Sequence, residues 1–225
     1  MSRNFLIAGT GPRVGKSIVA CALGFAFRAR GLRVGVMKPV ETGCAERGGL
    51  LDPADTRGVA LAAACDLPLD LICPYRYASA FPAPAAAEAD GAPPPDMRHL
   101  LDCFRKIAQA SDAVLVEDVG GLAAPITWSA DSADLAAYLA LELIVVVANR
   151  PGCLNSALVT LRYAAARGLR IAGYLLNDVV SSASASGPGE GLALARAAHV
   201  PCLGAMRYKE PLGLSVIEAL LGKRG

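Results

Sequence analysis

Short runs of apolar residues alternate along this chain with segments whose apolar residues recur at helical spacing. Runs that are apolar throughout are typical of strands buried on both faces of a parallel sheet. Such runs predict strands at residues 5–9, 33–39, 113–117, 143–149, 170–178 and 199–206. The periodic segments predict helices at residues 16–29, 55–65, 155–168 and 213–222. Because strands alternate with helices, the pattern predicts an α/β fold with a mostly parallel sheet and helices on both faces.

Two segments interrupt this alternation. Residues 75–96 are rich in proline and alanine and predict a long excursion from the sheet, whereas residues 181–191 consist of small residues typical of a flexible loop. Neither segment indicates a domain boundary. A chain of 225 residues with 54% hydrophobic content can bury one sizeable core. We therefore expect a single domain spanning residues 1–225.

Composition and charge exclude several classes of partner and location. The net charge is +2 and the basic residues are scattered, which argues against a nucleic-acid or membrane partner. The seven cysteines form no CxxC pair and no zinc-ligand spacing, and their odd number without a secretory segment favours reduced thiols in the cytoplasm. The richest apolar stretch, residues 135–148, contains Glu142 and is shorter than the roughly 18–20 residues that cross a membrane.

Residues 9–17, "GTGPRVGKS", are the first stretch with a specific chemistry. They follow a predicted buried strand and open a predicted helix, which is the context of a phosphate-binding loop. Such a loop binds phosphate through backbone amides and the helix N-terminus, with its lysine on the terminal phosphates and its hydroxyl on magnesium. Pro12 has no amide hydrogen, so the donors must come from its neighbours. The predicted nucleotide contacts in the loop are Gly11, Arg13, Val14, Gly15, Lys16 and Ser17.

The spacing of this loop is one residue longer than the common pattern G-x-x-x-x-G-K-S/T, and it resembles the loop of the dethiobiotin synthetase family, G-T-D-T-x-V-G-K-T. Six further segments resemble that family in the same order along nearly the whole chain: "MKPVETG" (37–43), "PADTRGVAL" (53–61), "PYRYASAFPAPAAA" (74–87), "VLVEDVGG" (114–121), "NRPGCLN" (149–155) and "IAGYLLND" (171–178). On these segments the chain is identified as a member of the family, which implies a P-loop NTPase-like fold.

The resemblance implies an enzyme of biotin biosynthesis. The family uses ATP and Mg²⁺ to close the ureido ring of dethiobiotin from 7,8-diaminononanoate and CO₂, through a carbamate and a carbamic-phosphoric anhydride, and releases ADP and phosphate. It is homodimeric, with sites composed of residues from both subunits. We therefore expect Mg²⁺ and ATP as cofactor and co-substrate, small-molecule substrates, and a homodimer.

The resemblance also implies roles for particular residues around the phosphates. Ser17, Asp55 and Glu117 match the magnesium ligands, which suits the oxygen donors that this cation prefers. Lys16 and Lys38 match cations on the phosphoryl group and the carbamate. From the residues alone, Asp55 could equally cap the following helix, Glu117 could be solvated at the end of its strand, and Lys38 could be an ordinary surface residue.

Further matches concern the two organic substrates. Thr42 would offer its hydroxyl to the substrate, and Lys38 would also contact it. Asn177 would recognise adenine through its amide, although an Asn-Asp pair also forms turns. The resemblance places the distant carboxylate of the substrate at the start of a helix of the neighbouring subunit, a natural anion site, on Gly152, Cys153 and Asn155.

The sequence departs from the family at positions near the phosphates and the substrate. Gly11-Pro12 replaces Asp-Thr, Arg13 replaces a frequent glutamate, and Asp118-Val119 replaces Gly-Ala. The tail "AMRYKEPLG" at residues 205–213 differs from the usual apolar end with proline, which puts its contacts with the base in doubt.

Two alternative functions remain open at this point. The first is a nucleotide-switched binding protein like the partition and septum-positioning ATPases of the ParA and MinD type, which have a related fold, but the second lysine early in their loop corresponds to Gly11 here. A ligase relative that acts on another diamine or on a carboxylate is the second alternative. The amidoligase version of it carries a glutaminase domain, for which 225 residues leave no room.

Overall fold

The computed structural model describes residues 3–181 and 188–222. Its elements in chain order are β1 (Arg3–Gly9), α1 (Lys16–Ala29), β2 (Val34–Met37), β3 (Val40–Thr42), β4 (Ala45–Arg47), β5 (Leu50–Asp52), α2 (Ala54–Ala63), α3 (Leu69–Ile72), β6 (Tyr75–Tyr77), α4 (Ala83–Ala89), α5 (Met97–Gln109), β7 (Ala113–Glu117), β8 (Pro125–Thr127), β9 (Ala130–Asp131), α6 (Ser132–Tyr138), β10 (Glu142–Ala148), α7 (Cys153–Ala166), β11 (Ile171–Asn177), α8 (Pro188–Ala197), β12 (Cys202–Met206) and α9 (Leu214–Leu221).

Six of these strands form the central sheet, in the order β12-β11-β10-β1-β7-β2, and each neighbouring pair is parallel. The middle strands are buried over most of their length, because helices cover both faces of the sheet. Residues such as Leu6, Ile7, Leu115 and Val145 form the core with the apolar faces of the helices. The α/β fold with a mostly parallel sheet is therefore confirmed.

The apolar runs located the strands of the central sheet to within a few residues. Helix α1 has the predicted bounds, and Gly31 follows its C-cap with a φ of +82°, the left-handed conformation that glycine adopts readily. Helix α5 was not predicted; it begins after Asp96, whose carboxylate accepts a hydrogen bond from the Arg98 amide. The short pairs β3–β6, β4–β5 and β8–β9 were also not predicted, since strands of two or three residues are too short to show alternation.

The two irregular segments have different outcomes. Residues 75–96 leave the central sheet, but they contain β6, which pairs with β3, and the helix α4. Of the predicted loop at residues 181–191, residues 182–187 lie outside the described residues. Residues 188–191 are the first turn of α8, which corrects the prediction of a loop there.

Strands β2 and β7 are joined at their N-terminal ends by an exposed ion pair. Arg33 Nη2 lies 2.7 Å from Asp112 Oδ1, and the Arg33 amide donates to Asp112 Oδ2 at 2.9 Å. These hydrogen bonds hold the pKa of Asp112 down to about 2. This end of the sheet is opposite to the edge at which β1 and β7 deliver Gly9 and Glu117. Among the helices of the described residues, none combines the length and the apolar character needed to cross a bilayer.

Candidate functional site

A cavity of about 660 Å³ lies beside the C-terminal ends of β2 and β7 and the start of α1. Open parallel sheets bind ligands at this edge, where loops leave the strands. The cavity brings together many of the residues predicted from sequence, which are Arg13, Gly15, Lys16, Ser17, Lys38, Thr42, Asp55 and Glu117. Residues that depart from the family pattern also line it, namely Pro12, Asp118 and Val119.

The phosphate-binding loop connects β1 to α1 in an arrangement suited to an anion. Gly15 has a φ of +89° and directly precedes α1, and no described side chain caps this helix. The first turn also has no acidic residue, so the amides and the dipole at the helix N-terminus are available to a phosphate. Arg13 adopts a left-handed conformation with a φ of +55° and is exposed at the cavity. The loop therefore presents two cations, Arg13 and Lys16, beside a helix N-terminus.

Asn177 holds the phosphate-binding loop through a hydrogen bond. It is the last residue of β11, it is buried, and its Nδ2 donates to the Val14 carbonyl oxygen at 2.9 Å. A Cβ atom built on Gly15 would lie 2.1 Å from that Nδ2. Asn177 thus fixes the shape of the loop, a role that the sequence did not predict, while the predicted contact with adenine stays a prediction.

Gly15→Ala is expected to disrupt this packing. The methyl group would collide with Asn177 and would force a non-glycine residue into a φ of +89°. We expect at least a tenfold loss of nucleotide affinity, measured by calorimetric titration with ADP. Gly31→Ala is the matched control, because Gly31 has a similar φ of +82° but no neighbouring atom within 4 Å of an added Cβ. It should cost about 1 kcal/mol of stability and leave affinity unchanged; equal affinity in both variants would contradict the steric argument.

One lysine, two carboxylates and one hydroxyl meet beside the phosphate-binding loop. Lys38 Nζ lies 2.5 Å from Asp55 Oδ2 and 3.0 Å from Glu117 Oε1. The Ser17 hydroxyl donates to the same Glu117 oxygen at 2.8 Å. These four residues come from α1, the loop after β2, α2 and the end of β7. Lys38 is therefore a buried member of the site rather than a surface lysine.

The charges in this group are shifted by burial and by one another. Burial alone lowers the pKa of Lys38, but the carboxylates of Glu117 and Asp55 outweigh it and raise that pKa above its usual value. Burial raises the pKa of the Asp55 carboxyl, yet Lys38 more than compensates and the net pKa is lowered. For Glu117, burial dominates and raises the pKa, with Lys38 and Ser17 opposing it. A further cation beside Glu117 would consequently stabilise its ionised form.

The arrangement fits a magnesium ion. Glu117 Oε2 is buried and has no hydrogen-bond partner among the described residues, so it is a polar atom that a cation would satisfy. Within residues 3–181 and 188–222, no three histidine, cysteine or acidic side chains are close enough to enclose a metal on their own. A site of two carboxylates and one hydroxyl suits Mg²⁺, which usually completes its shell with phosphates and water. Ser17, Asp55 and Glu117 are the residues that would hold it.

Glu41 is a positioning residue that the sequence analysis missed. Its carboxylate accepts hydrogen bonds from the amides of Asp55 and Thr56 at 3.0 Å each and from the Thr56 hydroxyl at 2.7 Å. Glu41, which lies on β3, thereby caps the N-terminus of α2. Asp55 therefore does not cap its own helix and can bind Lys38. The position of Glu41 inside the segment 37–43, next to Thr42, was the available signal.

Three further predicted residues, those for the substrate carboxylate, lie at the start of another helix. Gly152, Cys153 and Asn155 begin α7 and do not line the cavity of this chain. The N-terminus of α7 instead binds a carboxylate of the same chain. Glu190 accepts from the Gly152 amide at 2.9 Å and from the Leu154 amide at 3.3 Å, and Cys153 Sγ lies 3.2 Å from it.

Comparisons with known proteins extend over nearly the whole chain. A family model described as an AAA domain matches residues 3–214. The "ATP-dependent dethiobiotin synthetase BioD" of Janthinobacterium sp. (strain Marseille) is 36% identical over 180 residues, which cover 78% of this chain and 76% of that protein.

Solved structures with a similar fold include a septum site-determining protein and a ParA family ATPase. The septum site-determining protein MinD of Pyrococcus horikoshii, solved with Mg-ADP, gives a TM-score of 0.57 at 17% identity and covers 97% of this chain and 86% of its own. A ParA family ATPase from Chlorobium tepidum gives 0.55 at 18% identity, with 98% and 90% covered. At these identities the likeness concerns the fold alone, and it confirms a P-loop NTPase architecture.

Proposed function

The chain belongs to the dethiobiotin synthetase family, ATP-dependent ligases of biotin biosynthesis, and on that premise we propose that it closes a cyclic urea on 7,8-diaminononanoate with CO₂, ATP and Mg²⁺. The reaction produces dethiobiotin, ADP and phosphate. It takes place in the cytoplasm, in a homodimer. One observation carries the proposal: Lys38 bridges Asp55 and Glu117 beside the phosphate-binding loop, at 2.5 and 3.0 Å.

The chemistry proceeds in three balanced steps. One substrate amine adds to CO₂ and loses a proton, which gives a carbamate. A carbamate oxygen attacks the γ-phosphorus of ATP, the bond to the ADP oxygen breaks, and a carbamic-phosphoric anhydride forms. The second amine attacks the carbonyl carbon of the anhydride, loses a proton and expels phosphate, so that the ring closes. Enzymes accelerate such steps mainly by orienting the reactants and stabilising developing charge.

Residues of the cavity meet these requirements. Lys16 and the loop amides bind the β- and γ-phosphates, and Arg13 adds a second cation at the mouth. Lys38 lines the same cavity as the phosphate-binding loop and Thr42, and its charge would stabilise the carbamate and the transferring phosphoryl group. Thr42 offers its hydroxyl to the substrate. Mg²⁺ bound by Ser17, Asp55 and Glu117 would neutralise phosphate charge.

The substrate carboxylate is proposed to bind across the dimer at Gly152, Cys153 and Asn155. Glu190 already accepts hydrogen bonds from that helix end, so a substrate carboxylate must displace it. Both anions compete for the same amides and the same helix dipole. Removing the internal carboxylate should therefore favour the substrate.

Glu190→Ala is expected to lower the KM for 7,8-diaminononanoate by about tenfold, a difference of about 1.4 kcal/mol. Steady-state phosphate release against diamine concentration measures it. The control is Glu142→Gln, which removes a carboxylate at the opposite end of the sheet, where β10 begins. An unchanged KM in Glu190→Ala would place the substrate carboxylate away from α7.

The proposed activity is tested by phosphate release from ATP with Mg²⁺ and bicarbonate, with and without 7,8-diaminononanoate, together with mass detection of the product. Release that depends on the diamine and gives a cyclic urea would support the assignment. ATP binding without that product would contradict it and would favour a second candidate, a ligase acting on another diamine. That candidate draws support from Pro12, Asp118 and Val119, which depart from the family pattern and line the cavity.

A further inference from the structure

Asp118 is a buried carboxylate of the site to which the proposed function assigns no role. Its side chain is completely inaccessible, and both of its oxygens are bound by the backbone. The Gly9 amide at the end of β1 donates to Oδ2 at 2.9 Å, and the Gly120 amide donates to Oδ1 at 3.3 Å. These two hydrogen bonds fix the position of the Asp118 carboxylate.

The neighbour that this carboxylate holds is Lys16. Its Nζ lies 3.3 Å from Asp118 Oδ1 and donates to the Gly11 carbonyl oxygen at 3.2 Å. The lysine stem packs over Gly9, where an added Cβ would lie 2.9 Å from Lys16 Cδ. The ammonium group is therefore drawn back onto the loop and bound to an internal anion. A phosphate group that needs this cation must compete with Asp118 for it.

We propose that Asp118 is a positioning residue that holds Lys16 and weakens nucleotide binding by competing with the phosphates for its ammonium group. The inference rests on the nucleotide site of the proposed function but not on the identity of the second substrate. Charge alone supports this direction, since a buried carboxylate this close to a cation reduces what that cation can offer to a second anion.

Asp118→Asn removes the charge while keeping an oxygen for the Gly9 amide. We expect it to bind ADP about tenfold more tightly than the unaltered protein, measured by calorimetric titration in EDTA and then in Mg²⁺. The control is Asp112→Asn, which removes one carboxylate from the exposed pair at the far end of the sheet and should leave the affinity unchanged.

A double-mutant cycle separates competition for Lys16 from a general effect of charge. If Asp118 acts through Lys16, then Asp118→Asn should change ADP affinity less than twofold in a Lys16→Ala background. An effect of full size in that background would overturn the proposal, since it would reflect direct repulsion of the phosphates. Thermal unfolding establishes that each variant is folded; if Asp118→Asn is not, Asp118→Ser replaces it, because its hydroxyl also accepts from an amide.

The remaining outcomes distinguish this inference from the proposed function. Unchanged or weaker ADP binding by Asp118→Asn in EDTA overturns the inference and leaves the proposed function intact. Weakening in Mg²⁺ alone also overturns it and assigns Asp118 to the metal. Tighter binding by a protein that makes no cyclic urea supports the inference and contradicts the proposed function. An unaltered protein that binds no nucleotide contradicts both.

Discussion

Lys38→Met is expected to lower the kcat for diamine-dependent phosphate release by about 10³-fold, with the KM for ATP changed less than threefold. Lys38 would stabilise charge that develops on the carbamate and the phosphoryl group, and removal of one such group typically costs about 10²–10³ in rate. In the proposed site ATP is held by Lys16 and the loop, which the substitution leaves unchanged. Steady-state kinetics at saturating bicarbonate measures both constants.

The control for this prediction is Lys106→Met in the last turn of α5, which removes an exposed lysine that does not line the cavity. Lys38 is buried between two carboxylates, so its loss also leaves Glu117 without its cation and should reduce the free energy of unfolding by about 3 kcal/mol. Activities are therefore compared at a temperature where both variants are folded. A Lys38→Met protein that keeps a tenth or more of its kcat would contradict the role of Lys38 in the reaction.

Glu117→Ala and Asp55→Ala are each expected to abolish turnover while the fold survives, because they remove proposed magnesium ligands. The isosteric changes Glu117→Gln and Asp55→Asn isolate the effect of charge. We expect them to raise the Mg²⁺ concentration for half-maximal activity by about 10- to 100-fold. The larger effect belongs to Glu117, which is 4% exposed, whereas the Asp55 side chain is 52% exposed and water can replace part of its contribution.

A titration of activity with Mg²⁺ measures these shifts, and Asp52→Asn is the control. Asp52 is an acidic residue close to Asp55 in the chain, but its carboxylate pairs with Arg47 and Arg57 and does not line the cavity. Full activity in both Glu117→Ala and Asp55→Ala would exclude them as ligands. A shift of the same size in Asp52→Asn would indicate a general effect of charge.

The sequence predicted those parts of the candidate site that lie directly at the end of a strand or at the start of a helix. Glu117 ends an apolar run and Lys16 follows the glycines at the start of a helix, so the pattern predicted where each lies, whereas the role of Glu117 came from the resemblance to the family. Thr42 and Lys38 were located through one matching segment and lie at the cavity as expected. In each case the position of the residue depends on the nearby strand or helix, which the local sequence pattern predicts.

Contacts between distant segments were not predictable in this way. The capping of α2 by Glu41, the pairing of Asp118 with Lys16 and the docking of Glu190 on α7 all depend on how separate elements pack. The sequence marked Asp118 as a departure but gave no sign of its partner. Glu190 follows a glycine- and serine-rich stretch without periodicity, so the sequence did not predict its contact with α7.

The support of the loop by Asn177 has a consequence for synthesis of the chain on the ribosome. The amide that fixes Val14 belongs to a residue 163 positions later, and β1 itself lies between β7 and β10. The first strand therefore lacks its second neighbour until the chain has been synthesised beyond Ala148. Contacts between such distant residues form late and slow folding. In the proposed site, nucleotide can therefore stabilise the supported loop only after the chain has been synthesised through Asn177.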